Sequence, residues 1–463
     1  MRTSNVDCRN SIHRLATLRA FPFIAVVFAC FGLLPTAHAV TPAPDGGYPG
    51  SNTAEGDFAL LSLTTGVYNT AVGTEALLVN ATGTQNTGVG AFALEANTTG
   101  AQNTGIGAFA LENNTTGGLN TAVGNFALFN NTTGGGNTAT GGSALVNNTT
   151  GGDNTAHGYG TLFRNTTGSF NTASGFEALS SNTTASNNTA TGFTALLFNT
   201  TGYENTADGA NALLRNTTGW YNTATGSGAL ENSTTGAGNT ADGKEALFSN
   251  TIGFSCTAVG TNALHSNTIA GSNTAIGDAA LYSNTTGPVN TATGLDSLRS
   301  NTTSYYNTAT GWASLYYNTT GQDNTADGAL ALLSSTGNNN IGLGQYAGGN
   351  LTTGDNNIDI ANAGVAGESN TIRIGDQAVN TAVFVAGING VDMSSGKSVF
   401  VNANGQLGTG DINGLLWPKG SILEMQPGST PPAGFTKIGT EQAKFYDLSG
   451  HPSQVTWDVY QKN

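Results

Sequence analysis

Charge is what this chain has least of. Asp, Glu, Lys and Arg make up 9% of its 463 residues, against about 25% in an ordinary soluble domain. The charges present lean acidic, 28 against 14, for a net of −14. Nucleic acid and anionic membrane surfaces both select for clustered Lys and Arg, so neither is an expected partner. Cysteine is almost missing: there are three, Cys8, Cys30 and Cys256. Histidine is sparse, and His157, His265 and His451 stand far apart in the chain. No H-E-x-x-H or C-x-x-C spacing occurs, which removes the common zinc signatures. Gly396-Lys-Ser resembles the end of a phosphate loop, but the glycine that should open the loop is one place off, at Gly390. Asp208, Asp242 and Asp327 occupy equivalent places in the repeat described below, yet lie two or more repeats apart, too far to pool oxygens around one calcium ion. No catalytic residue, metal or cofactor is assigned, and an enzyme is not expected.

Long apolar runs are also missing, with one exception at the start. Residues 21–34 are apolar, follow Arg2, Arg9, Arg14 and Arg19, and precede Ala37-His38-Ala39, an A-x-A cleavage pattern. The run is shorter than the ~20 residues a spanning helix needs. Residues 1–39 are therefore expected to be a secretory signal. The protein is expected to be exported, extracellular or at the cell surface, with no transmembrane segment after cleavage. The signal holds four of the 14 basic residues and one of the 28 acidic ones, so its removal takes the net charge from −14 to −17. Cys8 and Cys30 leave with it. Cys256 then has no disulfide partner within the chain and is expected to be a small buried side chain standing where the repeat has Asn.

What the chain has in abundance is glycine, 66 residues, and a strict beat. From Asn52 to the unit that opens at Asn324 the sequence repeats every 17 residues, seventeen units with no insertion or deletion. The consensus is N-T-A-x-G-x-x-A-L-x-x-N-T-T-G-x-x. Position two is always Thr, position three Ala or Gly, position five Gly and position nine Leu, as at Leu60, Leu77, Leu94, Leu213 and Leu332. Position one is Asn in every unit but the one that opens at Cys256.

One unit cannot bury its Leu and two Ala, but stacked units can, each Leu on the Leu of the next coil. Glycine and N-T-T-G suit corners with φ > 0, and stacked Asn can bond coil to coil as an amide ladder. N-T-A-x-G reads as a short strand. G-x-x-A-L-x-x-N reads as a second strand or one tight 3₁₀ turn. Packed helices need 8–10 Å, whereas stacked strands repeat at ~4.8 Å. The expected fold is all-β: a parallel β-solenoid or β-roll, with room for one tight helical turn per coil, and a small β-rich C-terminal region. The expected divisions are the signal (1–39), an N-terminal cap (40–51), the seventeen repeats (52–336), degenerate repeats with a β cap of longer strands (337–402), a linker (403–418) and a small C-terminal module (419–463).

N-T-A-V-G and Asn103-Thr-Gly-Ile-Gly107 resemble the S-V-A-I-G element of the YadA-like heads of trimeric autotransporter adhesins. The resemblance covers about residues 52–375, with a period of 17 where those heads use about 14. It implies a left-handed parallel β-roll, a homotrimer, and binding to host matrix or other cells. The 17-residue form also resembles repeats in bacterial surface and tail-fibre-like proteins, and residues 418–435 resemble collar segments of phage tail fibres. The autotransporters end in a membrane anchor of four amphipathic strands, and the ending Tyr460-Gln-Lys-Asn463 does not match it. Release, or attachment through a partner, is therefore expected. Together these give an exported structural or adhesin-like repeat protein for attachment or surface assembly, with a tail-fibre-like component as the alternative.

The candidate binding residues form an aromatic stripe at position sixteen, Tyr203, Trp220, Phe254 and Tyr305, with Tyr221 and Tyr306 beside two of them. Such a stripe can stack on a glycan or meet a surface protein. The plainer reading is repeat drift, with rings covering a corner. A further alternative is ice binding through T-x-T strands such as Thr138–Thr140, Thr189–Thr191 and Thr223–Thr225. Asp, His, Ser or Val in intervening units interrupts that array.

Overall fold

The computed structural model describes residues 48–376 and 378–380, then 399–401, 407–409, 422–425, 428–431, 435–446 and 452–462. The signal and most of the 403–418 linker lie outside the described residues. The chain divides into two units, one ending at Ile374 and one beginning at Gly375.

The first unit is a parallel β-solenoid. Twenty strands of three residues, from Thr53–Glu55 to Ile372–Ile374, form one sheet. Register follows the repeat: Thr70 faces Thr87, Ala71 faces Gly88 and Val72 faces Val89. Within each strand the Thr and the fourth-position residue point outward. The small third residue points into a thin interior, where Ala71 is fully buried. Position five then turns the corner. Gly73 has φ +132°, and a Cβ there would sit 2.6 Å from the Gly90 carbonyl oxygen. Both the dihedral and the close approach of the next coil require glycine.

The opposite side of the coil is neither a strand nor a 3₁₀ turn. It is a run of overlapping turns: Ala76 N–H donates to Gly73, Leu78 to Glu75 and Asn80 to Leu77, at 3.1–3.3 Å. The same run bonds across coils, with Leu77 N–H on Ala93 and Val79 N–H on Glu95, both at 2.9 Å. Every position-nine leucine from Leu60 to Leu332 is held in the left-handed region, φ +49° to +55°. That conformation costs a non-glycine residue roughly 1–2 kcal/mol. Leucine accepts it because the turn aims its side chain inward, where all but Leu60 are completely covered and burial returns roughly 1.5–3 kcal/mol each.

Two buried Asn ladders hold the coils in register. Asn69 Oδ1 accepts the Asn86 backbone N–H at 3.0 Å. At position twelve, Asn97 Nδ2 donates to Asn80 Oδ1 at 2.7 Å. The ladders meet on one atom, because Asn86 Nδ2 and Asn97 Nδ2 both donate to the Gly100 carbonyl, at 2.8 and 3.0 Å. A third ladder, of Thr hydroxyls such as Thr98 on the Thr115 carbonyl at 3.0 Å, flanks them.

The 337–402 stretch follows the seventeen repeats. Its degenerate units continue as coils of the same three-residue strands, at Ile341–Leu343, Ile358–Ile360 and Ile372–Ile374. Of the longer strands expected there, Val399–Val401 is three residues long and pairs antiparallel with Leu407–Thr409, and residues 381–391 lie outside the described residues. Further on, Ile422–Met425 and Phe435–Tyr446 flank Pro452–Lys462 in a small antiparallel sheet. Among the described residues there is no helix, hence none long and apolar enough to cross a membrane.

Two interruptions in the ladders generate a prediction. Ser233 replaces Asn at position twelve, and both its hydroxyl and Asn216 Oδ1 are buried without a partner. Cys256 replaces Asn at position one. Its N–H still donates to Asn239 Oδ1 at 3.0 Å, but its thiol makes two long contacts, to the Ala270 carbonyl at 3.4 Å and the Phe254 carbonyl at 3.6 Å. Burial pushes that thiol up to about 11, so it stays protonated. Ser233→Asn and Cys256→Asn are each expected to add about 1 kcal/mol, read as roughly fivefold slower amide hydrogen exchange in the flanking coils.

A second prediction concerns Asp359, which occupies the column held by Ala or Gly in all seventeen repeats. It is 1% exposed and neither carboxylate oxygen has a partner. Arg373 lies opposite it in the last strand, but that guanidinium grips Glu368 at 2.6–3.0 Å. Burial, reinforced by Glu368 and opposed by Arg373, pushes the Asp359 carboxyl up from 3.8 to about 6. Because the folded value lies above the unfolded one, the destabilisation is absent below about pH 4, grows between the two values and is complete above about pH 6. Acidification from pH 7 to pH 4.5 is expected to raise the hydrogen-exchange protection factors of residues 341–360, after correction for the intrinsic pH dependence of exchange. Asp359→Ala is expected to remove that dependence and add roughly 2–3 kcal/mol at pH 7.

Candidate functional site

The expected aromatic stripe sits at the corner that closes each coil. Its backbone is fixed from both sides. The position-fifteen carbonyl is held by the two Asn ladders, and the position-sixteen carbonyl accepts the position-seventeen N–H of the next coil. Gly238 N–H donates to the Trp220 carbonyl, Ser255 to Ala237 and Ser272 to Phe254, each at 3.0 Å. Position seventeen is left-handed, φ +56° at both Tyr221 and Tyr306. All six rings are exposed.

The six residues fall into three groups. Tyr203 and Trp220 stack at 6.2 Å between centroids with planes 7° apart, and Tyr221 meets Tyr203 edge-on at 5.6 Å. Phe254 lies against Gly271 of the following coil, where an added Cβ would be 3.0 Å from its ring. Tyr305 and Tyr306 form an edge-on pair at 5.2 Å. Trp220 and Phe254 are two coils apart, about 9.5 Å along the axis, and Tyr305 is three coils further. The stripe is thus one three-ring cluster, one single ring and one pair.

Other ring ladders escaped the sequence reading. At position six, Tyr159, Phe176 and Phe193 stack at 5.7 and 5.6 Å and are all exposed. At position seven, Phe92, Phe109 and Phe126 stack at 5.1 and 4.9 Å. At position ten, Phe248, His265 and Tyr282 stack at 5.2 and 5.0 Å, and Arg299 lies 5.3 Å over the Tyr282 ring. Reading columns six, seven and ten as column sixteen was read would have found them. Burial lowers the His265 pKa, against the pull of Glu245 at 3.7 Å. Also at position ten, burial together with Glu95 pushes Glu112 up to about 7. Among the described residues no group of three or more His, Cys, Asp or Glu could hold a metal ion.

Comparison with family models, with curated proteins and with solved structures finds no match to this chain. The arrangement itself offers exposed rings at coil spacing, rigidly mounted, with Glu204 beside the first cluster and Asp323 one coil past the Tyr305–Tyr306 pair. Glu204, by its charge and a hydrogen bond, raises the Tyr221 pKa above the ordinary tyrosine value. An ultraviolet or NMR titration is expected to show Tyr221 as a late-ionising phenol, and Glu204→Gln is expected to move it back down.

Proposed function

We propose that the chain is an exported, cell-surface or secreted structural rod that mediates attachment or surface assembly in the manner of an adhesin. The observation that carries this reading is the unbroken in-register stacking of twenty strands. It makes a stiff element about 90 Å long that displays side chains in fixed columns. A rod of this kind spaces and presents, and its working parts are its outer columns. The basic, then apolar, then A-x-A pattern of residues 1–39 supports export.

The YadA-like resemblance supports a homotrimer, and the outward fourth-position column supports side-by-side association. That column is apolar toward the start, at Val72, Val89, Ile106 and Val123, and again late, at Leu343, Ile360 and Ile374. Between them come Asp208 and Asp242, which belong in water. A tail-fibre-like component is the second reading, favoured by the small antiparallel sheet that follows the solenoid. The outward Thr column keeps ice binding as a third, weakened by the charged fourth-position residues.

Light scattering and electron microscopy of residues 40–463 test the reading. Three chains per particle and a rod of about 90 Å are expected. A compact, near-spherical monomer would overturn both. Cells bearing the protein are expected to attach to a surface or to one another, and deletion of 52–336 to abolish attachment.

A further inference from the structure

The position-sixteen column is interrupted where the other ring ladders are continuous. Rings stand there in the units that open at Asn188, Asn205 and Asn239, and the unit between the last two has Ala237. Elsewhere in the protein stacked rings in adjacent coils sit 4.9–6.2 Å apart. A six-membered ring placed at the Ala237 level would therefore lie one such step from Trp220. The upstream face of Trp220 is taken by Tyr203. Its downstream side faces the Ala237 coil, and Phe254 leans away from that coil over Gly271. The floor is open: a Cβ added at Gly238 would meet nothing closer than 3.9 Å, and the nearest atom is the Ser255 hydroxyl.

We propose that the corner floored by Ala237 and Gly238, between Trp220 and Phe254, is a slot for one pyranose ring of a neutral glycan. This rests on the attachment reading above and names the ligand class. The slot has the composition such sites need, an aromatic face for the C–H side of a sugar and a few polar groups to fix orientation. Here those groups are the Ser255 hydroxyl, Tyr221 one coil upstream and, two coils upstream, Glu204. Charge selects among sugars. From Tyr203 to Tyr306 the two corner positions carry no Lys or Arg, and Glu204 contributes a negative charge beside a chain that is already acidic. Sialylated, uronic and sulfated glycans are repelled, and nothing there binds phosphate.

The test uses residues 40–463 titrated with cellohexaose, maltohexaose, mannohexaose and N-acetylchitohexaose, read by tryptophan fluorescence and calorimetry. At least one is expected to bind, and Trp220→Ala to weaken it about tenfold, the loss of one stacking face. Ala237→Phe is the decisive variant. The column already accepts Trp, Tyr and Phe in neighbouring units, so the new ring should keep the fold, fill the slot and abolish binding, while Ala237→Ser leaves binding intact. Circular dichroism and light scattering of each variant report the rod separately. No binding by any of the four sugars at millimolar concentration, or unchanged binding by a folded Ala237→Phe, overturns the slot and leaves the rod standing. Binding of a matrix protein that Ala237→Phe does not disturb, without glycan binding, also overturns it. Loss of the rod itself in the unsubstituted protein overturns the attachment reading beneath.

Discussion

Most coils bring two asparagine amides to a single carbonyl oxygen, and the fold depends on that junction. Gly100 accepts from Asn86 and from Asn97, so both lone pairs are used. The Asn69 and Asn80 side-chain oxygens are in turn filled by the next coil. Buried networks of this kind stabilise when complete and are costly when partly satisfied. This explains why the period tolerates no drift: one residue gained between positions twelve and one would pull three side chains off their partners. Two later coils are shorter, the last pairing Ile358 with Ile372 after 14 residues, and the first of them shows where a residue can be lost. Asn340 follows Asn324 by 16 residues, and the missing residue is the second Thr of N-T-T-G, an outward turn position. Asn340 N–H still reaches Asn324 Oδ1 at 2.9 Å, and Asn324 Nδ2 still reaches the Gly337 carbonyl at 2.9 Å.

The network ends by exchanging columns. In the coil that opens at Asn340, position nine is Gly348 and position twelve is Leu351. Leucine has moved from the core column into the amide column. Leu351 is fully buried, and a Cβ on Gly348 would meet Leu332 and Leu351, the second at 3.3 Å. The two leucines thus fill the space that a position-nine side chain would have taken. The position-twelve amides end at Asn318, because the next coil has Ser335 there, and Leu351 then closes the column with an apolar plug. Asp359 enters one coil later beside Gly348 and Gly364. An unpartnered carboxylate in the interior column weakens the coils packed against it, which suits the end of a solenoid better than its middle.

The parallel stack, the Leu core and the Asn ladder could all be read from the repeat, because each is one residue type recurring in one column. The turn side could not. Its defining feature is a left-handed leucine, and nothing in propensity points to φ > 0 at Leu77. The glycine rule identified Gly73 correctly but is silent where a buried side chain, rather than the absence of one, makes the conformation worthwhile. The convergence of positions one and twelve on position fifteen was also hidden, since it depends on how the corner folds back. At the candidate site the column placed the six rings at one corner. Whether they would touch was decided by spacing along the axis, so Tyr203 and Trp220 meet while Phe254 stands apart.

The ring ladders follow a consistent logic. Each stays within one column for three coils, at position seven, then six, then ten. A flat side chain at coil spacing finds a neighbour only directly above or below, so rings gain from company in their own column and little from rings elsewhere. A ring inside such a ladder has both faces covered and presents only its edge to solvent. The exposed ladder of Tyr159, Phe176 and Phe193 therefore offers a partner less than its area implies. A stacking face is free only at the end of a run, or where a run is broken by a small residue. Position sixteen has such a break at Ala237, directly beside Trp220, and so the interrupted stripe rather than the continuous ladder is the better recognition element.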